Sequence, residues 1–293
     1  VIDLPSVFLA IPTMSNRVTI QIAAFMDALR LASLQPDTAF NYEYAIENGR
    51  APVEYARNLL VGSFLRSSCD RMLFVDEDMI PESNVVRLVY SDADITVARI
   101  YKFDHADPVK GVQVGLGLCA MSKKPNGLYA PILADIGSPA IQECDAAGTA
   151  CMMIRRRVLE DRRLWSDNVY TTADGKTIDG NEMPESGDFA PAVFRFRRSV
   201  NGCGIMGEDV DFCERAKRLG YSIKVDLNAV CGHFKEINID EAGYLVHESL
   251  KRAVGGIKLE DGRIVKLDLS DAIKYTQRPP YDKMVRSEMG VVK

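Results

Sequence analysis

The chain has 293 residues, 47% of them hydrophobic and 26% charged, with a formal net charge of −5. That length buries a sizeable core as one large α/β domain or a domain with an appendage. The mild acidity gives no general pull toward nucleic acid or anionic membrane, while leaving room for a local basic patch, and no apolar run reaches the ~18 residues of a membrane span.

Residues 7–11, an apolar run without a basic lead and closed by Pro12, are too short for a signal core and read as a first strand. A helix over about 19–34 follows, with Ile22, Phe25, Met26, Leu29 and Ala32 at helical spacing. Residues 41–47 read as a second strand, and Pro52 opens a second helix over 53–66. The third strand, 71–75, ends abruptly in Asp76-Glu77-Asp78. Adjacent carboxylates at the mouth of a buried strand repel one another and call for a positive partner, for which a divalent metal is the obvious candidate. Another helix, 81–90, and a strand, 95–100, complete a βαβαβαβ order. That order predicts a Rossmann-like, mostly parallel sheet with helices on both faces, which binds ligands beyond its strands' carboxyl ends.

Further along, 111–120 and 129–136 read as short strands around a Pro-Asn-Gly turn. Residues 148–154 form a buried run ending in Arg155-Arg156-Arg157, with a helix over 158–165 after it. Residues 166–203, rich in Asp, Gly, Pro and Ser, carry a hairpin turn at 173–176 and read as a long functional loop. In Gly207-Glu208-Asp209-Val210-Asp211 the acids crowd a helix N-terminus, Val210, Cys213, Ala216 and Leu219 supply its buried face, and Gly220 stops it. Strands at 222–226 and 230–233 lead to His233. A helix over 240–253, a hairpin over 257–269 and a Pro-containing tail end the chain.

Seven cysteines (69, 119, 144, 151, 203, 213 and 231) form no Cys-x-x-Cys pair and sit mostly in apolar runs. They read as reduced core thiols, and with no Asn-x-Ser/Thr sequon the expected compartment is the cytoplasm.

Taken together, a strand ending Asp-x-Asp, a Glu-Asp pair opening a helix that ends Arg-Ala-x-x-x-Gly-Tyr, and a strand leading to a histidine resemble a nucleotide-sugar glycosyltransferase of the A-type fold (GT-A). The resemblance is to family 2 and its relatives, including phage forms, for which the compartment would be the host cytoplasm. It covers roughly residues 5–236, divided into a nucleotide-sugar half (1–103) and an acceptor half (104–236), with 237–293 as a small C-terminal extension forming a lid or an oligomer contact. Ile11-Pro12-Thr13 with Asn16-Arg17 resembles the first strand and donor loop. Tyr55-Ala56-Arg57-Asn58 resembles the helix facing the donor, and 148–156 the strand and Arg-Arg pair that support the acceptor side.

The resemblance implies a metal-dependent transferase moving a sugar from a nucleoside diphosphate donor, a UDP-sugar, to an acceptor hydroxyl. Carried over by position, Asp78 ligates Mn²⁺ or Mg²⁺ and Asp76 reaches the ribose or the metal. His233 supplies an imidazole, and Glu47, flanked by Pro12 and Thr13, recognises the base. Asp209 is the general base if the transfer inverts, a role that stereochemistry-retaining relatives of the fold do not give this aspartate, and Glu208 orients an acceptor hydroxyl or the base. Glu77 points the other way along the strand.

Other residues have plainer readings. His105 and His247 match no motif, and Trp165, at a helix end, reads as packing, with a sugar-stacking platform as the alternative. Arg195, Arg197 and Arg198 alternate with Phe194 and Phe196 and read as a solvated strand face, with a grip on a phosphate-bearing acceptor as the alternative. A nucleotidyltransferase would need a Gly-rich basic loop after the first strand, where 11–16 has none. A non-catalytic nucleotide- or carbohydrate-binding relative would have no use for the repelling acids.

Overall fold

The computed structural model describes residues 4–14, 18–36, 39–49, 52–104, 115–132, 139–165, 169–171, 177–179, 191–198, 205–234, 257–258 and 264–265. The chain divides into two compact units, one of 1–102 with 117–234 and one of 103–116 with 235–293. In the second, Ile257–Lys258 pairs antiparallel with Ile264–Val265, the hairpin expected around the Glu-Asp-Gly-Arg turn. The expected helix over 240–253, together with Asn16, His105, Cys203 and His247, falls outside the described residues.

The first unit is built on an eight-stranded sheet with α-helices on both faces. Its strands are β1 (Ser6–Thr13), β2 (Asn41–Asn48), β3 (Arg71–Val75), β4 (Met79–Pro81), β5 (Ile95–Arg99), β6 (Ile141–Glu143), β7 (Cys151–Arg155) and β8 (Ile223–His233). The order is β6-β8-β5-β7-β3-β1-β2, with β4 on the outer part of β8. Parallel pairs join β1 to β2, β1 to β3 and β5 to β8.

Helices α1 (Ile20–Ser33), α2 (Val53–Arg66) and α4 (Glu208–Arg218) flank the sheet, and α3 (Arg156–Leu159) is a single turn. Alternation along β1 explains the layering. Val7, Leu9 and Ile11 face a core shared with Ile22, Phe25 and Leu29 of α1, while Phe8 and Ala10 face one shared with Leu60 and Phe64 of α2 and Phe212 of α4. Both faces are covered, so β1 reads as a continuous apolar run, as buried parallel strands do. Among the described residues no helix is long and apolar enough to cross a membrane.

Three elements differ from the pattern read along the chain. First, β7 runs antiparallel between β3 and β5, so the strands at 71–75 and 95–99 are not neighbours. An apolar run has no direction written in it, and Cys151–Arg155 fills a central slot from the opposite end. Second, residues 83–90 form a 3₁₀ helix, Ser83–Tyr90, with Val85 N–H donating to the Glu82 carbonyl (3.0 Å). The β-branched Val85, Val86 and Val89 crowd an α-helical turn, and the tighter helix covers more length per residue. Third, the helix expected over 158–165 breaks. After α3, Asp161 accepts from the Arg163 amide (3.1 Å) and starts a separate 3₁₀ turn, Arg162–Leu164.

The bend in β8 positions the site. Its register shifts between Asp226 and Val230, where the Asn228 amide donates to Asp226 Oδ1 (2.9 Å) and the Val230 amide to Asn84 Oδ1 (2.8 Å). Beyond this bulge the strand leaves β5 and pairs antiparallel with β4, setting His233 opposite Met79. Gly232 permits the approach, since a Cβ there would lie 3.3 Å from Ile80 Cβ.

Candidate active site

The carboxyl ends of β1 and β3 and the first turn of α2 enclose a cleft of about 210 Å³ lined by Pro12, Thr13, Met14, Val53, Ala56, Asp76, Glu77 and Asp78. Its place is the one expected for a ligand in an α/β sheet. Thr13 is 1% exposed and its Oγ1 has no hydrogen-bond partner among the described residues, an arrangement costly unless a ligand or water supplies one. The Thr13 carbonyl accepts from the Gly49 amide (2.8 Å), and Glu47 sits in register with Pro12, which brings the end of β2 beside the cleft. Glu77 also lines the cleft and accepts from the Met14 amide (3.2 Å). It does not point away: the chain turns immediately after Asp76, with Met79 N–H donating to the Asp76 carbonyl (3.1 Å), so strand alternation stops applying there.

Asp78 and His233 meet, Oδ2 to Nε2, at 3.0 Å. The contact is a product of the β8 bulge and of β4, with the Phe234 amide donating to the Asp78 carbonyl (2.8 Å). The Asp78 carboxylate is a hard-ion ligand and the His233 imidazole a borderline one, so the pair offers two donors to a divalent ion. Among the described residues no three His, Cys, Asp or Glu side chains converge into a complete metal cage.

The positive partner beside Asp76 is supplied by the chain itself. Arg57, 5% exposed on α2, donates through Nη2 to both oxygens of Asp76 (3.1 and 2.9 Å) and through Nη1 to Glu208 Oε1. One guanidinium thus bridges the mouth of β3 and the first turn of α4. Burial alone would lower its proton affinity, but Asp76 and Glu208 outweigh burial and hold Arg57 above the ordinary arginine value. Sequence reasoning assigns Arg57 to the donor alone; its pairing with Glu208 depends on a contact 151 residues away along the chain.

Asp209 stands apart from that bridge. Its Oδ1 accepts from the Val210 amide (2.7 Å), and Oδ2 lies 3.6 Å from where a Cβ on Gly148 would be. Burial first, and then the Glu208 charge, push Asp209 above the ordinary aspartate range, with the Val210 amide and Arg57 pulling the other way. Gly148 shares this end of the sheet because β7 runs antiparallel. The same reversal carries the arginine pair to the far end, where Arg156 caps α2, donating to the carbonyls of Cys69 (2.6 Å), Phe64 (2.9 Å) and Ser67 (2.9 Å). The end of the sheet beside Asp209 therefore has the start of this segment and not its arginines.

Trp165 is packing, as expected, its Nε1 donating to the Leu159 carbonyl (2.9 Å). Arg195 and Arg197 do not form a solvated face: both pair with Asp211, which is fully buried on α4. The Asp211–Arg215 spacing of four was the available sequence signal for that cluster.

Compared with known proteins, the chain matches no family model and no curated protein sequence. It is similar to solved structures that include A197 from STIV, at 17% identity and TM-score 0.44 over 80% of this chain and 87% of that one. GalNAc-T7 with UDP, GalNAc and Mn²⁺ aligns at 10% identity and TM-score 0.40, over 94% of this chain, which spans 54% of GalNAc-T7. The inositol-1-phosphate CTP transferase from T. maritima aligns at 11% identity and TM-score 0.34 over 82% of this chain and 95% of that one. The chemistry of this chain has to come from its own residues.

Proposed function

We propose that the protein is a metal-dependent glycosyltransferase of the GT-A type, moving a sugar from a nucleoside diphosphate donor, such as a UDP-sugar, to an acceptor hydroxyl. The observation that carries this reading is the pairing of two unlike walls by Arg57: Asp76, next to the Asp78–His233 pair, on one side and Glu208, next to Asp209, on the other. A leaving group that develops negative charge and a hydroxyl that must lose a proton need these two environments side by side.

Asp78 and His233 would hold the ion, with Asp76 reaching it or the ribose while shared with Arg57, and diphosphate oxygens and water would complete its coordination. Bound there, a divalent ion supplies Lewis acidity to the departing diphosphate. Pro12, Thr13 and Glu47 receive the nucleoside, and the unpartnered Thr13 hydroxyl gains a partner from it. Glu208, already committed to Arg57, orients rather than abstracts. Asp209 takes the acceptor proton; its raised proton affinity makes it a stronger base than a surface aspartate, and Gly148 leaves the space before it clear.

The test is incubation with Mn²⁺ and a panel of nucleotide sugars, reading thermal shift and release of nucleoside diphosphate. Stabilisation and slow release that vanish in Asp78→Ala support the reading. Pyrophosphate in place of nucleoside diphosphate would reassign the protein to nucleotidyl transfer, and no response to any donor would end the proposal.

A further inference from the structure

The cluster around Asp211 has no part in the scheme above, and its charges do not balance. Asp211 is fully buried, accepts at Oδ2 from the Nε atoms of Arg195 (3.3 Å) and Arg215 (2.7 Å), and has Arg197 Nε in ion-pair range of its Oδ1 (2.8 Å) without hydrogen-bond geometry. Glu214, on the same helix, meets Arg197 again, with Arg218 (3.0 Å) and Lys123 (2.7 Å). Two carboxylates thus serve five cations. The crowding registers on Arg215, which burial first, and the charges of Arg195 and Arg197 after it, push below the ordinary arginine value against the pull of Asp211.

The guanidiniums differ in what they have left to offer. Arg215 directs both Nη groups inward, to the carbonyls of Leu164 and Val193. Arg195 donates to Asp211 through Nε, and its side chain is 35% exposed; Arg197 donates through Nη2 to Glu214 and to Met206 Sδ (3.2 Å), with its Nε beside Asp211. Their remaining Nη donors, without a partner among the described residues, are held in place by a buried anchor, so little rotamer freedom is lost when they grip a ligand, and the planar fork matches phosphate oxygens. The segment carrying them, whose Arg197–Arg198 is a short strand, is itself fixed: Phe194 exchanges two hydrogen bonds with Asn58 (2.9 Å each) and packs against Phe74 and Phe212. Its partner strand, Ile205–Met206, leads directly into Gly207 and α4. Glu208 and Asp211, three residues apart, share a helix face, which puts the cluster about 5 Å along α4 from the acceptor wall.

We propose that Arg195 and Arg197, anchored on Asp211, form an anion subsite that takes a phosphate group carried by the acceptor. The word acceptor rests on the transferase reading; the anion subsite does not. Trp165, the single tryptophan, adjoins Leu164, whose carbonyl is bound by Arg215, and its fluorescence reports on the cluster.

Inorganic phosphate titrated into the full chain without divalent ion should give a saturable change in Trp165 fluorescence. Arg195→Gln should weaken it by roughly tenfold, Arg195→Lys less, because it keeps the charge but not the fork, and Asp78→Asn should leave it unchanged. Circular dichroism of the variants separates loss of the site from loss of the fold. No saturable binding by the native chain, binding by folded Arg195→Gln equal to native, or binding abolished by Asp78→Asn would each overturn the subsite. In transfer assays, paired acceptors with and without a phosphate should differ in KM, and that difference should disappear in Arg195→Gln; equal KM values in the native chain would remove the acceptor from the proposal. If phosphate binding follows Arg195 while no nucleotide sugar is turned over, the subsite stands and the transferase reading falls.

Discussion

As the proposed base, Asp209 faces opposed demands, since a base that must be charged at working pH is held where burial disfavours its charge. The sign of the consequence is fixed. Its folded-state proton affinity lies above the unfolded value, so its favourable contribution to stability is complete at low pH and is lost as pH rises through the folded value. Asp209→Asn should therefore raise the melting temperature at neutral pH, by on the order of 2 °C, with the gain shrinking in acid where the native carboxyl is already protonated. A lower melting temperature at neutral pH would mean that the ionised form is stabilised. The same variant should lose transfer while retaining donor binding, and native transfer should fall off in acid at a pH above the ordinary aspartate range. Arg57 pulls Asp209 down, so Arg57→Gln should move that acid limb to higher pH in whatever activity remains. An unmoved limb would detach Arg57 from the base.

At the level of elements, legibility followed local pattern. Strands β1 and β3 and helices α1 and α2 could be read because alternation, helical spacing and flanking Pro or acids are contained within a dozen residues. The direction of β7 and the existence of β4 were not legible, because both are decided by which distant strand offers a free edge. The Asp76, Asp78, Glu208 and Asp209 positions showed as charges in unlikely places, whereas the Arg57 bridge and the anchoring of Arg195 and Arg197 on Asp211 exist only between segments far apart in sequence.

The β8 bulge illustrates the cost of such long-range placement. The break read between 222–226 and 230–233 falls where the bend is, yet nothing local says that the bend sets His233 against Asp78. Gly232→Ala tests it: the added methyl lies 3.3 Å from Ile80 Cβ, tighter than ordinary contact, so β4 or β8 has to give by a few tenths of an ångström. Overpacking of this kind costs about 1–3 kcal/mol. The expected result is weaker Mn²⁺ binding, read by calorimetry, with phosphate binding at Arg195 unaffected. Native Mn²⁺ affinity in this variant would show that the β4–β8 contact does not position His233.

On the scale of the whole first unit, Arg57 is the piece through which the two walls share a charge balance. Asp76 comes from β3 and Glu208 from α4, which belong to different layers, and either carboxylate alone is enough to keep the buried guanidinium from standing unpaired. Each single neutral variant, Asp76→Asn or Glu208→Gln, should therefore cost modest stability. The double variant removes both partners and strands Arg57 in the interior, a situation far more costly than losing one contact. Urea unfolding should show a loss in the double variant that exceeds the sum of the singles by about 0.5–3 kcal/mol, the range for residues coupled through a shared partner. Simple additivity would mean that the walls are stabilised independently and that Arg57 carries no coupling between them. If the excess is found, a donor that draws on Asp76 alters how tightly Arg57 holds Glu208, and the readiness of Asp209 becomes linked to occupancy of the opposite wall.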